Sequence, residues 1–227
     1  MDSSPASHPT ATPAAEAARF AALFTRGDGA FRFARWGRPL APVVFGTDDA
    51  GAAIFESALG AVAGLGGLPV AGTDPELGAN FLVFFCTAWD ELPSVPGLVK
   101  LVPGIAKLVS VLKGAGSNQY RIFGFDEAGA IRVCIVLLRY DEDLRRVSAQ
   151  ALATSQSVQS LLLWSDHAFT AESPVALVGE TGRAVVKPWH ADLVRAAYDA
   201  ALPASWEDAA LALRFQARMG LIREARA

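Results

Sequence analysis

The pattern of apolar and polar positions along the chain predicts strands and helices in irregular succession. Residues 80–86 are apolar without alternation, which is typical of a strand that is covered on both faces. Residues 119–125 and 131–139 flank a turn at residues 126–129, and this arrangement predicts a β-hairpin. Shorter strands are predicted at residues 35–36 and 43–45 and in a small hairpin around residues 179–182.

Helices are indicated by apolar residues that recur every three or four positions and by residues typical of helix ends. Asp48 or Asp49 predicts the start of a helix that runs to about Val62, and the glycines within residues 64–67 predict its end. The predicted buried face of this helix consists of Ile54, Ala58, Leu59 and Val62.

Further helical segments are predicted at residues 17–24, 96–112, 144–164 (as one or two helices) and 191–201. Pro103 must kink the second of these segments or start its second half. Ser205, with Asp208 three residues later, resembles a capping box and predicts the start of the last helix. The buried stripe of that helix is predicted to consist of Leu211, Phe215, Met219 and Ile222.

These elements predict an α+β fold in which a small mixed sheet packs with several helices. Residues 1–16, rich in Ala, Pro, Ser and Thr, are predicted to form a flexible tail, and residues 17–227 a single globular domain. The composition is 52% hydrophobic and 19% charged, which supplies ample material for a core. A formal net charge of -3 argues against nucleic acid as a partner.

The chemistry-bearing residues form no complete signature. Cys86 and Cys134 lie in apolar runs and are predicted to be buried thiols, although a disulfide in an oxidising compartment stays open. His167 and His190 are separated by residues that supply no helical zinc motif, so no metal and no cofactor is predicted. The chain contains no Gly-x-Ser-x-Gly elbow and no phosphate loop after a predicted strand.

No apolar run reaches the length of a membrane span, and no secretory signal is visible, so a cytoplasmic location is predicted. A mature exported chain would look the same. Residues 98–113 form an amphipathic segment without Asp or Glu, in which Lys100, Lys107 and Lys113 lie away from the apolar face. Such a segment is typical of an ordinary core-facing helix, but it could also contact a partner or an anionic membrane surface.

The segment Ser155-Gln-Ser-Val-Gln-Ser-Leu-Leu-Leu-Trp-Ser-Asp166 is similar to the pattern Glu-Glu-x-x-Gln-x-Leu-Gly-Leu-x-Asn-Asp. This pattern belongs to a bacterial domain family of unknown function with suspected distant zinc-metallopeptidase ancestry. Gln159, Leu161, Leu163 and Asp166 match it. Shorter similarities at residues 35–39, 79–85 and 192–203 extend the resemblance over much of the chain.

The resemblance implies a zincin-like layout, in which a central helix carries the site. The chain departs from the pattern where two glutamates are expected, because Ser155 and Gln156 stand there. A metallopeptidase mechanism needs a carboxylate that takes a proton from metal-bound water, and a glutamine amide cannot do so. We therefore expect a non-catalytic scaffold or protein-binding protein. The alternatives are a hydrolase with an atypical site around Gln156, His167 and His190, and a peripheral membrane protein.

Overall fold

The computed structural model describes residues 12–72, 78–180 and 182–226. Its strands are β1 (Phe33–Ala34), β2 (Pro42–Phe45), β3 (Phe81–Cys86), β4 (Gln119–Phe125), β5 (Ile131–Arg139), β6 (Val175–Val178), β7 (Arg183–Val186) and β8 (Ser205–Trp206). Its helices are α1 (Pro13–Phe24), α2 (Asp49–Leu65), α3 (Leu98–Leu101), α4 (Ile105–Gly114), α5 (Glu142–Arg145), α6 (Ala149–Leu161), α7 (Pro188–Ala197) and α8 (Leu211–Glu224). A 3₁₀ helix spans Trp89–Ser94.

A four-stranded mixed sheet in the order β2-β3-β5-β4 lies at the centre of the fold. β2, β3 and β5 run parallel, and β4 pairs antiparallel with β5 at the edge. The predicted hairpin is therefore confirmed as β4 and β5, and the predicted covered strand is confirmed as β3. The small hairpin around residues 179–182 is confirmed as β6 and β7.

Helices cover both faces of this sheet, so the predicted α+β class with a small mixed sheet is confirmed. Successive side chains of β3 point to opposite faces, with Phe81 and Val83 in one apolar cluster and Leu82 and Phe84 in the other. The first cluster joins the sheet to α1, α2, α6, α7 and α8. The second joins it to the 3₁₀ helix, α3 and α4.

Helix α2 confirms the predicted start and end of its segment. The Asp48 carboxylate accepts a hydrogen bond from the Gly51 N–H at 2.8 Å, and Gly66 forms the C-cap. The buried face differs from the prediction at one position, because Phe55 is buried while Ile54 is exposed. The helix is thus rotated so that its largest side chain contacts the core.

Two helix starts differ from the prediction by four residues or more, and α7 begins three residues before its predicted start at residue 191. Helix α1 begins at Pro13, four residues before the predicted start, since Thr12 caps it and proline is tolerated in the first turn. Residues 1–11 of the predicted tail lie outside the described residues. Ser205 caps no helix: it lies in β8, which pairs with β1, and its hydroxyl donates to the Ala128 carbonyl at 2.6 Å. Helix α8 begins at Leu211, and its predicted stripe packs against the core.

The segment predicted as one helix over residues 96–112 consists of two helices, α3 and α4, on either side of Pro103. Proline removes a backbone donor and clashes with the preceding turn, so the break is expected there. Val102, Ile105 and Val109 are buried as predicted, but Val99 and Ala106 face the solvent.

Candidate functional site

Helix α6 carries the polar positions that the sequence singles out, and it lies on the sheet with several of them buried. Ser148 caps its first turn through a 3.3 Å hydrogen bond from the Ala151 N–H. The buried hydroxyls of Thr154 and Ser157 donate to carbonyls one turn earlier, so the helix itself satisfies them. Gln156 is buried as well, but its side chain reaches across to β4.

Gln156 forms the centre of a hydrogen-bonded cluster with two residues of β4. Its Nε2 donates to the Oε1 of Gln119 at 2.9 Å, and its Oε1 accepts from the Nη2 of Arg121. The same Nη2 also donates to the Oε1 of Gln119 at 3.5 Å. Gln119 and Arg121 alternate along the strand, so both side chains face α6. The cluster fixes the orientation of the Gln156 amide.

The guanidinium of Arg121 has no counter-charge among the residues that the structure describes. Burial lowers the pKa of Arg121 to about 10, so the group stays protonated at neutral pH. Its Nε is closed to solvent and has no hydrogen-bond partner in the described part of the chain. Burial also raises the pKa of the neighbouring Cys134 to about 12, which leaves that thiol neutral. Within the described ranges, no carboxylate pairs with Arg121.

A cavity of about 610 Å³ opens beside this cluster, along the edge strand. We name it the β4 groove. Its walls are formed by Ser117, Asn118, Gln119, Tyr120, Arg121, Gln159, Trp164, Ser165, Asp166, Phe169 and Thr170. Its size lies within the range of sites that bind small molecules or short segments.

One side of the β4 groove is an open sheet edge. β4 has β5 as its neighbour and no further strand among the described residues. The Arg139 N–H donates to the Asn118 carbonyl at 2.8 Å. Every second residue of an antiparallel pair bonds to the neighbouring strand, so residues 120 and 122 of β4 also bond to β5. The backbone groups of residues 119, 121 and 123 therefore point away from the sheet, where another extended chain could pair with them.

The structure brings some of the predicted site residues to this groove. Gln159 and Asp166 line it, while the Oγ of Ser155 accepts a 2.9 Å hydrogen bond from the Nε2 of Gln159. Asp166 is exposed and forms an ion pair with Arg26 at 3.1 Å. Gln159 and Asp166 thus line one cavity, while Ser155 contacts Gln159 and Gln156 contacts the wall residues Gln119 and Arg121.

Neither histidine is among the residues that line the groove. His167 is exposed, and His190 is buried beside the ring of Trp189 and the ring of the groove-wall residue Phe169. Burial lowers the pKa of His190 to about 4, and its Nδ1 has no hydrogen-bond partner among the described residues. Among residues 12–72, 78–180 and 182–226, no three His, Cys, Asp or Glu side chains are placed to hold a metal ion.

The three lysines of the predicted partner or membrane surface lie on α3 and α4, across the sheet from α6. Lys113 forms an ion pair with Asp90 at 2.7 Å, whereas Lys100 and Lys107 are exposed. In the part of the chain that the structure describes, no helix has the length and apolarity that crossing a membrane requires.

Sequence reasoning missed Gln119 and Arg121. The available signal was their alternation: two polar residues stand at every second position of a strand that is otherwise apolar or aromatic. On a strand beside a helix, that spacing places both side chains on one face. An arginine there needs a polar partner, and Gln156 is the buried residue of the covering helix that accepts its hydrogen bond.

Comparison of the chain with protein-family models, with curated proteins and with solved structures finds no match. The geometry of the β4 groove and its surroundings is therefore the basis for the function proposed below.

Proposed function

We propose that this chain is a non-catalytic binding protein that holds an extended segment of another protein in the β4 groove. The observation that supports the proposal is the open edge of β4 beside a cavity that the hydrogen-bonded side chains of Gln119 and Arg121 line. An extended peptide adds to such an edge through main-chain hydrogen bonds, and side-chain pockets supply specificity.

The state of Gln156 favours binding over catalysis. Where the resemblance leads us to expect a glutamate that works as a base, the Gln156 amide donates through Nε2 and accepts through Oε1 within the cluster. It has neither the basicity nor the freedom to take a proton from water. The zincin-like layout and the distant metallopeptidase ancestry remain predictions.

The alternative of a hydrolase around Gln156, His167 and His190 gains no support from the geometry. The imidazole of His167 is exposed and that of His190 is buried, and the hydrogen bonds of the Gln156 amide run to Gln119 and Arg121 of β4. Stoichiometric zinc in the purified protein, lost together with a hydrolytic activity on chelation, would favour that alternative over ours.

The binding proposal is tested by selecting peptides from a random display library and scanning a selected peptide with single N-methyl groups. Strand addition predicts loss of affinity at every second position, because alternate N–H groups pair with β4. Thr170→Trp, on the groove rim, should weaken binding, whereas Glu127→Trp in the β4–β5 turn should not. Peptides that bind Thr170→Trp as well as the unaltered chain, or an N-methyl scan without alternation, would contradict the proposal.

A second candidate function is association with an anionic membrane surface through α3 and α4. Val99, Leu101 and Val111 are 51%, 54% and 59% exposed, and Lys100 and Lys107 lie between them in the chain. Apolar side chains with flanking lysines are the composition of surfaces that bind at lipid headgroups.

Flotation with phosphatidylserine vesicles tests this second candidate. We expect binding at low salt that is lost at high salt and in the double variant Lys100→Glu/Lys107→Glu, because lysine attraction to the lipid is screened or reversed. Arg132→Glu, which changes an exposed charge on β5, is the control and should still float. Failure of the unaltered chain to float at low salt would end this candidate.

A further inference from the structure

We infer that Arg121 binds a side-chain carboxylate, from a glutamate or aspartate of the segment that pairs with β4. This inference rests on the proposed function and adds the chemistry of the ligand. It begins from the β4 groove, where the half-buried Arg121 is hydrogen-bonded to two neutral amides and, within the described part of the chain, to no anion.

The hydrogen bonds of the guanidinium leave part of it unused. The side-chain oxygens of Gln119 and Gln156 both accept hydrogen bonds from Nη2, so neither Nε nor Nη1 donates to a glutamine. Nε makes no hydrogen bond to any described residue, although a donor closed to solvent without a partner is costly. A carboxylate is the group that matches the planar arrangement of guanidinium donors, and it would also balance the charge.

The register of an added strand favours a side-chain carboxylate over a C-terminal one. Residues directly opposite one another on neighbouring strands point their side chains to the same face of the sheet. Val136 of β5, opposite Arg121, obeys this rule and lies in the apolar cluster on the α6 side. The residue opposite Arg121 on an added strand would likewise turn its side chain toward α6, next to the guanidinium.

An inward-pointing charge on an edge strand has another known use, which is to discourage uncontrolled pairing of edges between molecules. That use requires no ligand. It predicts that removing the charge increases self-association and that carboxylates have no specific effect on Arg121. The two explanations are therefore separable by experiment.

The first measurement follows the Nε–H resonance of Arg121 by NMR while sodium acetate is added to the full chain. We expect a saturable shift, with sodium chloride at equal ionic strength producing none. In Gln156→Glu the new carboxylate lies within reach of Arg121, so acetate affinity should fall by at least about tenfold. Gln150→Glu adds the same charge at the exposed first turn of α6 and should change affinity by less than about twofold.

The second measurement compares a selected peptide that contains one glutamate opposite Arg121 with its glutamine version. We expect the glutamine peptide to bind with at least about tenfold lower affinity. If amidation of the peptide C-terminus causes an equal loss, Arg121 recognises the C-terminal carboxylate and not the side chain. If both peptides bind equally, the carboxylate inference is wrong while the binding proposal stands. If acetate binds but no peptide does, the proposed function is wrong. An Arg121 resonance that acetate leaves unchanged would overturn the inference directly.

Discussion

At the scale of single residues, His190 shows how burial turns a side chain into a pH-dependent element of stability. The imidazole packs edge-on against Trp189, with the two ring centroids 5.1 Å apart, and it is only 3% exposed. Burial lowers its pKa from 6.5 to about 4 in the folded chain. Between these two values the unfolded chain binds a proton that the folded chain does not bind.

We therefore predict that acidification destabilises the fold across this window, since stability rises with pH wherever the unfolded state binds more protons. Between pH 7.5 and 5.5 the loss attributable to His190 is about 1 kcal/mol. Urea unfolding at both pH values measures it. His190→Gln should lose less stability between the two pH values, whereas His167→Gln, at an exposed site, should behave like the unaltered chain. Equal pH dependence in all three proteins would contradict the assignment.

The residue scale also shows what a single sequence reveals about the candidate site. Gln156, Gln159 and Asp166 were predicted because a short pattern around them resembles another family, and Gln159 and Asp166 line the groove beside Gln156. Arg121 was not predicted, because the importance of a buried charge depends on which residues surround it. One of its two hydrogen-bond partners, Gln156, comes from α6, 35 positions later in the chain.

At the scale of elements, the end of α2 is fixed by a close approach between a glycine and an aromatic ring. A Cβ at Gly66 would lie 2.6 Å from Cδ2 of Tyr198. The ring cannot move freely, since its hydroxyl donates to the Leu161 carbonyl at 2.8 Å and accepts from the Trp36 N–H at 3.4 Å. The glycine thus ends the helix and also lets α2 approach α7.

We predict that Gly66→Ala lowers the free energy of unfolding by about 1–3 kcal/mol, because the added methyl group overpacks this contact. Gly60→Ala in the same helix should have the opposite sign. Its Cβ meets no atom within 4 Å, and alanine favours the helix over glycine by up to about 1 kcal/mol. Urea titrations of both variants provide the test, and a destabilising Gly60→Ala or a neutral Gly66→Ala would contradict it.

Local signals predicted elements well where the deciding contacts were local. The β4–β5 hairpin and the cap of α2 depend on residues close in sequence, and both were predicted correctly. The prediction of a capping box at Ser205 is wrong because that residue pairs with β1, which is far away in the chain. The start of α1 failed for a different reason, since a proline can open a helix as readily as it can prevent one.

At the scale of the whole molecule, the α+β class could be predicted, but the sheet order could not. The parallel pairing of β2 with β3 and of β3 with β5 joins segments separated by whole helices. Periodicity describes each strand separately and carries no information about its neighbour. The division of β3 side chains between two clusters follows from these pairings, so the layers become visible only in the folded chain.

The central sheet should unfold as one unit, and the two cysteines report on this directly. Cys134 is fully buried on β5, which has a strand on either side, and burial raises its pKa to about 12. Cys86 is the last residue of β3 and is 6% exposed. Burial, and secondly the negative charge of Glu91, raise the pKa of its thiol to about 11. Both thiols are free and buried, as the sequence predicted.

We predict that Cys134 reacts with a thiol reagent only through global unfolding, whereas Cys86 also reacts through a smaller opening at the end of β3. The variants Cys86→Ala and Cys134→Ala isolate each thiol, and labelling rates in low urea give the free energy of exposure. The value for Cys134 should equal the free energy of unfolding from urea titration of the same variant, and the value for Cys86 should be lower. A free energy of exposure for Cys134 well below that of global unfolding would mean that β4 and β5 separate from the sheet on their own. The open edge and the Arg121 cluster would then belong to a locally unstable element and not to the cooperative core.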